Sequence, residues 1–339
     1  MILRLILRRL IAALPVLLGV VIFTFFLMRM LPGDPAVYLA SVPGMDAQDI
    51  ANIRTSLGLD RPLPEQLLSY IGELARGELG NSIVTGQPVT ADLARRLPAS
   101  LELTFFALII TLATAIPLGI LAALYENQPI DHLVRIISAF GGAVPTFVTG
   151  LMLVLVFYFI LGVSPDPTGR MDVFVIAPPT VTGFLLIDSA LDLNGEAFSS
   201  ALSQLILPAV TMALFALAPI ARITRASMIE VLGSEFIRTA RALGLPSRQI
   251  IITYGLRNAL IPVLTVLGLI VSILLGSNVI VEKVFAWPGI GLYALDGVLA
   301  SDYAPVQGFI LMMAITFVAI NLLVDTVYAL VDPRVRSNA

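Results

Sequence analysis

The chain contains no cysteine, which excludes disulfides and thiolate chemistry and leaves its compartment unreadable from redox usage. It has a single histidine, His132, set beside charged residues in a short connecting segment, and so cannot build a metal site from histidines. The single lysine, Lys283, stands in Val-Glu-Lys-Val-Phe. A nucleotide-hydrolysing phosphate loop needs Gly-x-x-x-x-Gly-Lys-[Ser/Thr]. This chain has no such loop, so any work driven by ATP must be done by another subunit. Charge is also scarce, at 13% of 339 residues, where soluble domains carry about 25%. With 58% hydrophobic residues and a mean hydropathy of +0.96, the sequence is that of an integral membrane protein.

A helix needs about 20 mostly apolar residues to cross the hydrocarbon core. Uncharged runs of that length predict six spans, at about 9–29, 101–125, 136–162, 203–224, 259–281 and 307–329. The first resembles a signal peptide in having arginines before an apolar stretch. Its length and the lack of a small-x-small cleavage site identify it as a retained span. Residues 173–187 are apolar but short and contain Pro178-Pro179, so they read as a loop or interfacial segment.

Positive charge sets the orientation. With six spans and the N-terminus inside, the cytoplasmic pieces carry 12 of the 20 basic residues against six of the 23 acidic ones, leaving eight and 17 outside. The balances of +6 and −9 place both termini in the cytoplasm. Large external loops then fall at 30–98 and 166–196, and residues 230–258 form a cytoplasmic connection between the fourth and fifth spans. That connection is amphipathic. On a helical wheel Leu232, Phe236, Ala240 and Leu243 share one sector, while Glu230, Ser234, Arg238 and Arg241 lie opposite. Gly244 and Pro246 stop the helix, and Ser247 can cap another.

The run Glu235-Phe-Ile-Arg-Thr-Ala-Arg-Ala-Leu-Gly-Leu245, continued by Leu256-Arg-Asn-Ala-Leu-Ile-Pro262, resembles the cytoplasmic loop of ABC-importer permeases, in the form found in dipeptide, oligopeptide and nickel permeases. Further motifs keep the family's order along the chain. They include Leu31-Pro-Gly-Asp-Pro35, Gly77-Glu-Leu-Gly-Asn-Ser82, Arg96-Leu-Pro-Ala-Ser-Leu-Glu-Leu-Thr104, Val144-Pro-Thr-Phe147, Thr224-Arg-Ala-Ser-Met228, Trp287-Pro-Gly289, Asp302-Tyr-Ala-Pro-Val-Gln-Gly308 and Val331-Asp-Pro-Arg-Val-Arg336. Thr182-Gly-Phe-Leu-Leu-Ile-Asp188, within the long second external loop, is most similar to the dipeptide branch. The chain departs from the general pattern in having Arg238-Thr239-Ala240 where Glu-Ala-Ala is usual.

The resemblance implies a single all-α permease domain over 1–339, of the six-helix type I importer kind. A homologous second permease subunit, two cytoplasmic ATP-binding subunits and an external substrate-binding protein would complete the machine in a bacterial inner membrane. This chain would bind no cofactor, metal or nucleic acid, its partners would use the ATP, and its other contact would be the lipid bilayer. Coupling to the ATPases falls to Glu235, Arg238, Ala240, Arg241, Gly244 and Leu245. Pathway candidates are Thr146, Ser277 and Asn278, although hydroxyls within spans commonly bond back to their own helix or tie neighbours together. Acidic residues of the second external loop, Asp166, Asp172, Asp188 and Asp192, are candidate contacts for the binding protein. Trp287 reads first as an aromatic anchor at the membrane interface. The implied cargo is a dipeptide or short oligopeptide, with nickel or glutathione as alternatives. A channel or secondary transporter leaves the inward amphipathic segment unexplained, and a membrane enzyme lacks a nucleophile–base or metal constellation.

Overall fold

A computed structural model describes residues 2–30, 35–39, 47–56 and 58–331, and among these it contains helices and no strand. Helix α1 spans Ile2–Met30, followed by the short α2 (Pro35–Leu39), α3 (Ala47–Ser56) and α4 (Leu63–Ala75). Next come α5 (Val89–Leu124), α6 (Pro129–Ala143), α7 (Thr146–Leu153), α8 (Leu185–Leu191) and α9 (Gly195–Leu232). After α9 lie α10 (Glu235–Ala242), α11 (Ser247–Gln249), α12 (Arg257–Val284), α13 (Ile290–Leu299) and α14 (Tyr303–Val331). The motifs at 31–34 and 332–336 lie outside the described residues.

Five of these helices are long and apolar enough to cross a membrane, and α6 with α7 makes a sixth if the pair counts as one span. That pair is bent by 103°. The sequence predicts a span over 136–162, with Pro145 inside it. The structure starts the helix earlier, at Pro129, and breaks it at Val144-Pro145. The pyrrolidine ring excludes the helical region for the residue before it, and Val144 accordingly takes φ −86°, ψ 130°. Beyond the break α7 runs into a π-helical stretch over Val154–Ile160. A second π-helical stretch, Ile250–Leu256, leads into α12, so helix begins well inside the 230–258 connection.

The chain divides into two compact units. Among the described residues, one comprises 101–287 and 319–331 with Ile2, and the other those within 3–100 and 288–318. The first is organised on α9, whose buried residues are dominated by Ala, Leu, Met and Ile, from Ala197 to Met228. Helices α6, α7, α8 and α12 all pack on it. Lipid tails are as apolar as leucine, so helices in a membrane gain little by burying hydrophobic area against one another and associate through close van der Waals packing. Glycine permits that closeness. A Cβ on Gly141 of α6 would stand 2.6 Å from the Leu214 carbonyl oxygen of α9, and one on Gly119 of α5 would stand 2.7 Å from the Ala221 carbonyl oxygen. At the end of α6 near Gln128, the fully buried Asp131 receives two hydrogen bonds from Arg225 of α9, from Nε and Nη2, both 2.7 Å.

The second unit holds a cluster of Val89, Leu93, Ile290 and Tyr293, with Leu79, Leu97, Phe309 and Met312 packed around it. Asp302 fixes the loop 82–84 to the start of α14. Its Oδ2 accepts from the Ser82 hydroxyl (2.8 Å) and from the N–H groups of Ile83 and Val84 (2.7 and 3.2 Å). Burial pushes the Asp302 carboxyl above the usual carboxylate range, although these donors favour the ionised form.

The Gly141 contact generates a test. Gly141→Ala forces α6 away from the Leu214 carbonyl and should cost about 1–3 kcal/mol, the usual range for overpacking. A lowered melting temperature of the purified protein in detergent reads this out; Gly19→Ala, where an added Cβ meets nothing within 4 Å, should leave it unchanged.

Candidate functional site

The connection from α9 to α12 projects as a helix-turn-helix element. Ser234 precedes α10, and Gly233 and Ser234 close α9 through backbone bonds to Ile229 and Val231. Helix α10 ends in the two reverse bonds of a Schellman cap, Gly244 N–H to the Arg241 carbonyl (3.0 Å) and Leu245 N–H to the Ala240 carbonyl (3.3 Å). Gly244 sits at φ +73°, a left-handed conformation in which a side chain costs about 1–2 kcal/mol. Leu245 then folds back on the buried cluster of Ile237, Ala240 and Ile250.

The inward face of α10 is therefore Ile237 with Ala240; of the predicted sector, Leu232 and Ala240 meet the cluster and Phe236 and Leu243 do not. Phe236 is 46% exposed and Leu243 75% exposed. The helix turns by this amount because Ile237 and Ala240 are the pair that meets Ile250, and the Gly244 turn fixes the approach. Of the six residues expected to couple, Glu235, Arg238, Arg241 and Gly244 lie on the exposed side, whereas Ala240 and Leu245 hold the element together from within. Arg238 Nη1 bonds Glu235 Oε1 at 2.7 Å on the surface, an arrangement worth a fraction of a kcal/mol. The exposed surface of α10 therefore carries two apolar side chains, Phe236 and Leu243, on one side and the charged Glu235, Arg238 and Arg241 on others.

The loop 166–196 is held to α5 by Glu102, a residue whose role its motif did not reveal. Glu102 is buried, pairs with Arg170 Nη2 (2.6 Å) and accepts from the Leu186 N–H (2.9 Å). Arg170 also donates to the Gly183 carbonyl (3.1 Å) and lies over the Trp287 ring, 5.9 Å from its centroid. Trp287 itself is 1% exposed. It is not an interfacial anchor: the reverse turn that ends α12, with the Trp287 N–H on the Glu282 carbonyl at 2.8 Å, directs the ring inward.

Asp188 is likewise no contact for a partner. It is 3% exposed, and its two oxygens accept from the Thr182 hydroxyl and from the N–H groups of Val181, Thr182 and Gly183. Burial pushes this carboxyl up, but those donors outweigh burial and leave it below the usual range. Asp166, Asp172 and Asp192 are exposed, as are Val173, Phe174, Ile176 and Val181, with Phe174 at 92%.

Within the spans, Asn278 of α12 donates from Nδ2 to Thr104 Oγ1 of α5 at 2.7 Å, and both are buried. Such a bond ties two helices. Thr111, Thr114 and Ser272 bond back to the carbonyl four residues earlier. Thr146 opens α7 just after the break, half-buried. Ser277 lies in α12, but its side chain is outside the described residues.

Comparison with known proteins agrees with this architecture. Residues 115–337 match the family described as binding-protein-dependent transport system inner membrane component, and residues 2–104 match its N-terminal companion. A probable D,D-dipeptide transport system permease protein of Escherichia coli K12 is 46% identical over 94% of both chains. A di/tripeptide transport system permease protein of Pseudomonas aeruginosa is 41% identical over 97% of both. A dipeptide transport system permease protein of Haemophilus influenzae is 41% identical over 97% of this chain and 98% of its own. Among solved structures, a chain of the inward-facing MetNI methionine ABC transporter superposes with a TM-score of 0.53 at 18% identity, covering 72% of this chain and 97% of its own, which concerns the fold alone. A multi-pass helical protein with no phosphate loop of its own and matches along nearly its full length, this chain belongs to the family of inner-membrane permease components of binding-protein-dependent ABC importers.

Proposed function

We propose that the chain forms half of the translocation path of an importer for dipeptides or short oligopeptides and takes its driving force from cytoplasmic ATPases docked on α10. The observation that carries the docking is the exposed pair Phe236 and Leu243 on a helix whose other face is packed and whose end is fixed by Gly244, with Glu235, Arg238 and Arg241 exposed elsewhere on the same helix. Exposed apolar side chains presented by a rigid helix suit insertion into a groove of a soluble partner, and the charges would pair at its edges. The basic excess at 222–257 places this surface on the cytoplasmic side. ATP binding would close the two ATPases and α10 would move with them. Spans α9 and α12 would follow as a two-state element biased by the nucleotide.

Peptide cargo rests on the relatives, three of which carry di- or tripeptide transport in their names at 41–46% identity. A homologous second permease subunit would complete the path. An external binding protein would deliver the peptide to the loop 166–196, where Phe174 and its apolar neighbours, with Asp166, Asp172 and Asp192 at hand, supply the contact. The loop is braced for that role by Glu102 and Arg170.

Reconstituted vesicles containing the assembled importer should accumulate labelled dipeptide only with ATP and the binding protein, and should leave glutathione and nickel outside. Uptake of nickel or glutathione in place of dipeptide would overturn the cargo assignment. Arg241→Glu combined with Gly244→Val should lower uptake by roughly tenfold or more, since the loss of about 1.4 kcal/mol from a docked state is a factor of ten. Undiminished uptake together with undiminished ATPase association would remove α10 from the coupling. Phe174→Ala should weaken stimulation of ATP hydrolysis by the binding protein while leaving basal hydrolysis as it was, because an exposed aromatic is the usual centre of such an interface.

A further inference from the structure

The inner halves of α6 and α9 enclose a feature that neither peptide passage nor ATPase docking uses. Val134, Arg135, Ser138 and Ala139 of α6, with Ala221, Arg222 and Arg225 of α9, line a cavity of about 330 Å³. A second cavity, of about 380 Å³, continues from it. It shares Ala139 and Arg222 and is otherwise lined by Gly142, Ala143, Phe215, Ala218 and Pro219. On α9 the sequence Phe215, Ala218, Pro219, Arg222 follows the i, i+3, i+4, i+7 pattern of one helix stripe. The two cavities therefore form one groove, basic at one end and apolar along the rest.

The charges at the basic end do not balance. Three arginines face the cavity, and the adjoining carboxylate is Asp131, whose two oxygens are both taken by Arg225, with Arg135 Nε 3.6 Å away. His132 contacts Arg135, and Glu126 acts on Arg225 from the connecting turn. Arg222 has no ion-pair partner among the described residues. Ser138 adds an independent sign of an absent partner. It is 6% exposed and lines the basic cavity, and its hydroxyl makes no hydrogen bond, an omission that buried polar atoms rarely show. The flanking surface of α6, formed by Leu133, Ile136, Ile137 and Phe140, is apolar and exposed.

We propose that this groove binds an anionic phospholipid, with the phosphate headgroup held by Arg135, Arg222 and the Ser138 hydroxyl and an acyl chain laid along Ala139, Gly142, Ala143 and Ala218. The charge pattern selects this occupant. A transmembrane helix of a partner would fill the apolar length but would leave the arginines and Ser138 unmatched. A free phosphate would match the arginines and leave the apolar length empty. Arg222 and Arg225 stand at the end of the predicted span 203–224, at the side of the membrane with the basic excess, where basic pockets between helices take acidic headgroups. The lipid would wedge the crossing of α6 on α9 beside the break at Val144-Pro145 and so bear on how freely the bent pair moves.

The test uses the full chain purified with its co-expressed subunits, in nanodiscs of mixed phosphatidylglycerol and phosphatidylcholine, with retained lipid counted by native mass spectrometry. The wild type should retain phosphatidylglycerol in preference, and Arg135→Gln with Arg222→Gln should reduce that retention roughly thirty-fold, as expected for two arginines near a membrane surface. Ala139→Trp, which fills the groove and leaves the arginines in place, should also abolish it. Arg222→Gln alone serves if the double variant does not assemble, because Arg222 takes no part in the Asp131 pair. Equal retention in wild type and variants would overturn the site. So would displacement by inorganic phosphate that Ala139→Trp does not alter, which would identify a free-anion site. A photo-crosslinker at position 139 that captures a second permease chain instead of lipid would do the same.

Discussion

The close approach of neighbouring helices to α9 is the constraint on which the larger unit depends. In lipid, the apolar faces of α5, α6 and α12 gain little from meeting α9 in preference to acyl chains, so the bundle is held by contact distance and by specific polar bonds. Glycine at 119 and 141 brings two of these helices onto α9 carbonyls. Asp131–Arg225 clamps α6 to α9 at one end, and Asn278–Thr104 joins α12 to α5. Each of these is all-or-none: a glycine contact that opens loses its dispersion energy outright, and half a buried ion pair is worse than none. A bundle built this way has few intermediate arrangements, which is what a device that switches between states requires.

The same helix explains how the surface of α10 is aimed. Helix α9 runs without interruption from Gly195 to Leu232, through Pro208 and Pro219, and hands over to α10 across only Gly233 and Ser234. On its far side α10 is tied by Ile237, Ala240 and Leu245 to the π-helical stretch that feeds α12. The exposed surface of α10, with Phe236 and Leu243, thus rests on two spans and not on a free loop. Force applied there reaches the packed core through helix on both sides. By contrast, the loop 166–196 contains one short helix and owes its position to two carboxylates, Glu102 and Asp188, that gather backbone and side-chain donors around themselves.

Much of this was legible in the sequence, and the misses have physical causes. Apolar length announced a helical membrane protein of five or six spans, because a bilayer imposes that length. Gly244 announced a turn because its left-handed conformation is nearly closed to other residues. The orientation of α10 was not legible: a wheel shows that apolar residues share a sector, but Phe236 and Ile237 are adjacent, and only the position of Ile250 decides which of them is buried. Trp287 and Asp188 were misplaced for a related reason. Tryptophan near a span end and an aspartate in a loop are exposed by default, and each was drawn inward by a backbone turn, at Ala286 and at Thr182-Gly183, that leaves no mark in composition. Glu102 and Asp131 were visible as charges, but a charge count weighs them as surface. Nothing short of three-dimensional proximity pairs Glu102 with Arg170, 68 residues away, or Asp131 with Arg225, 94 residues away.

That last pair also governs how the arginines between α6 and α9 divide. Because Asp131 is fully buried and both its oxygens face Arg225, it has little capacity left to neutralise the guanidinium groups around it. Arg135 is held at one remove and Arg222 not at all. A chain using these residues only to orient itself by the positive-inside rule would gain as much from arginines dispersed in its loops. Here they converge with a buried, unbonded serine on a single groove that becomes apolar with depth. The groove lies between two helices that meet closely at Gly141 and beside the break that gives α6 and α7 their bend. An occupant with an anionic head and an apolar tail would complete the hydrogen bonds, balance the charge and fill the crossing. The membrane then acts as a structural component of the bent pair as well as its solvent.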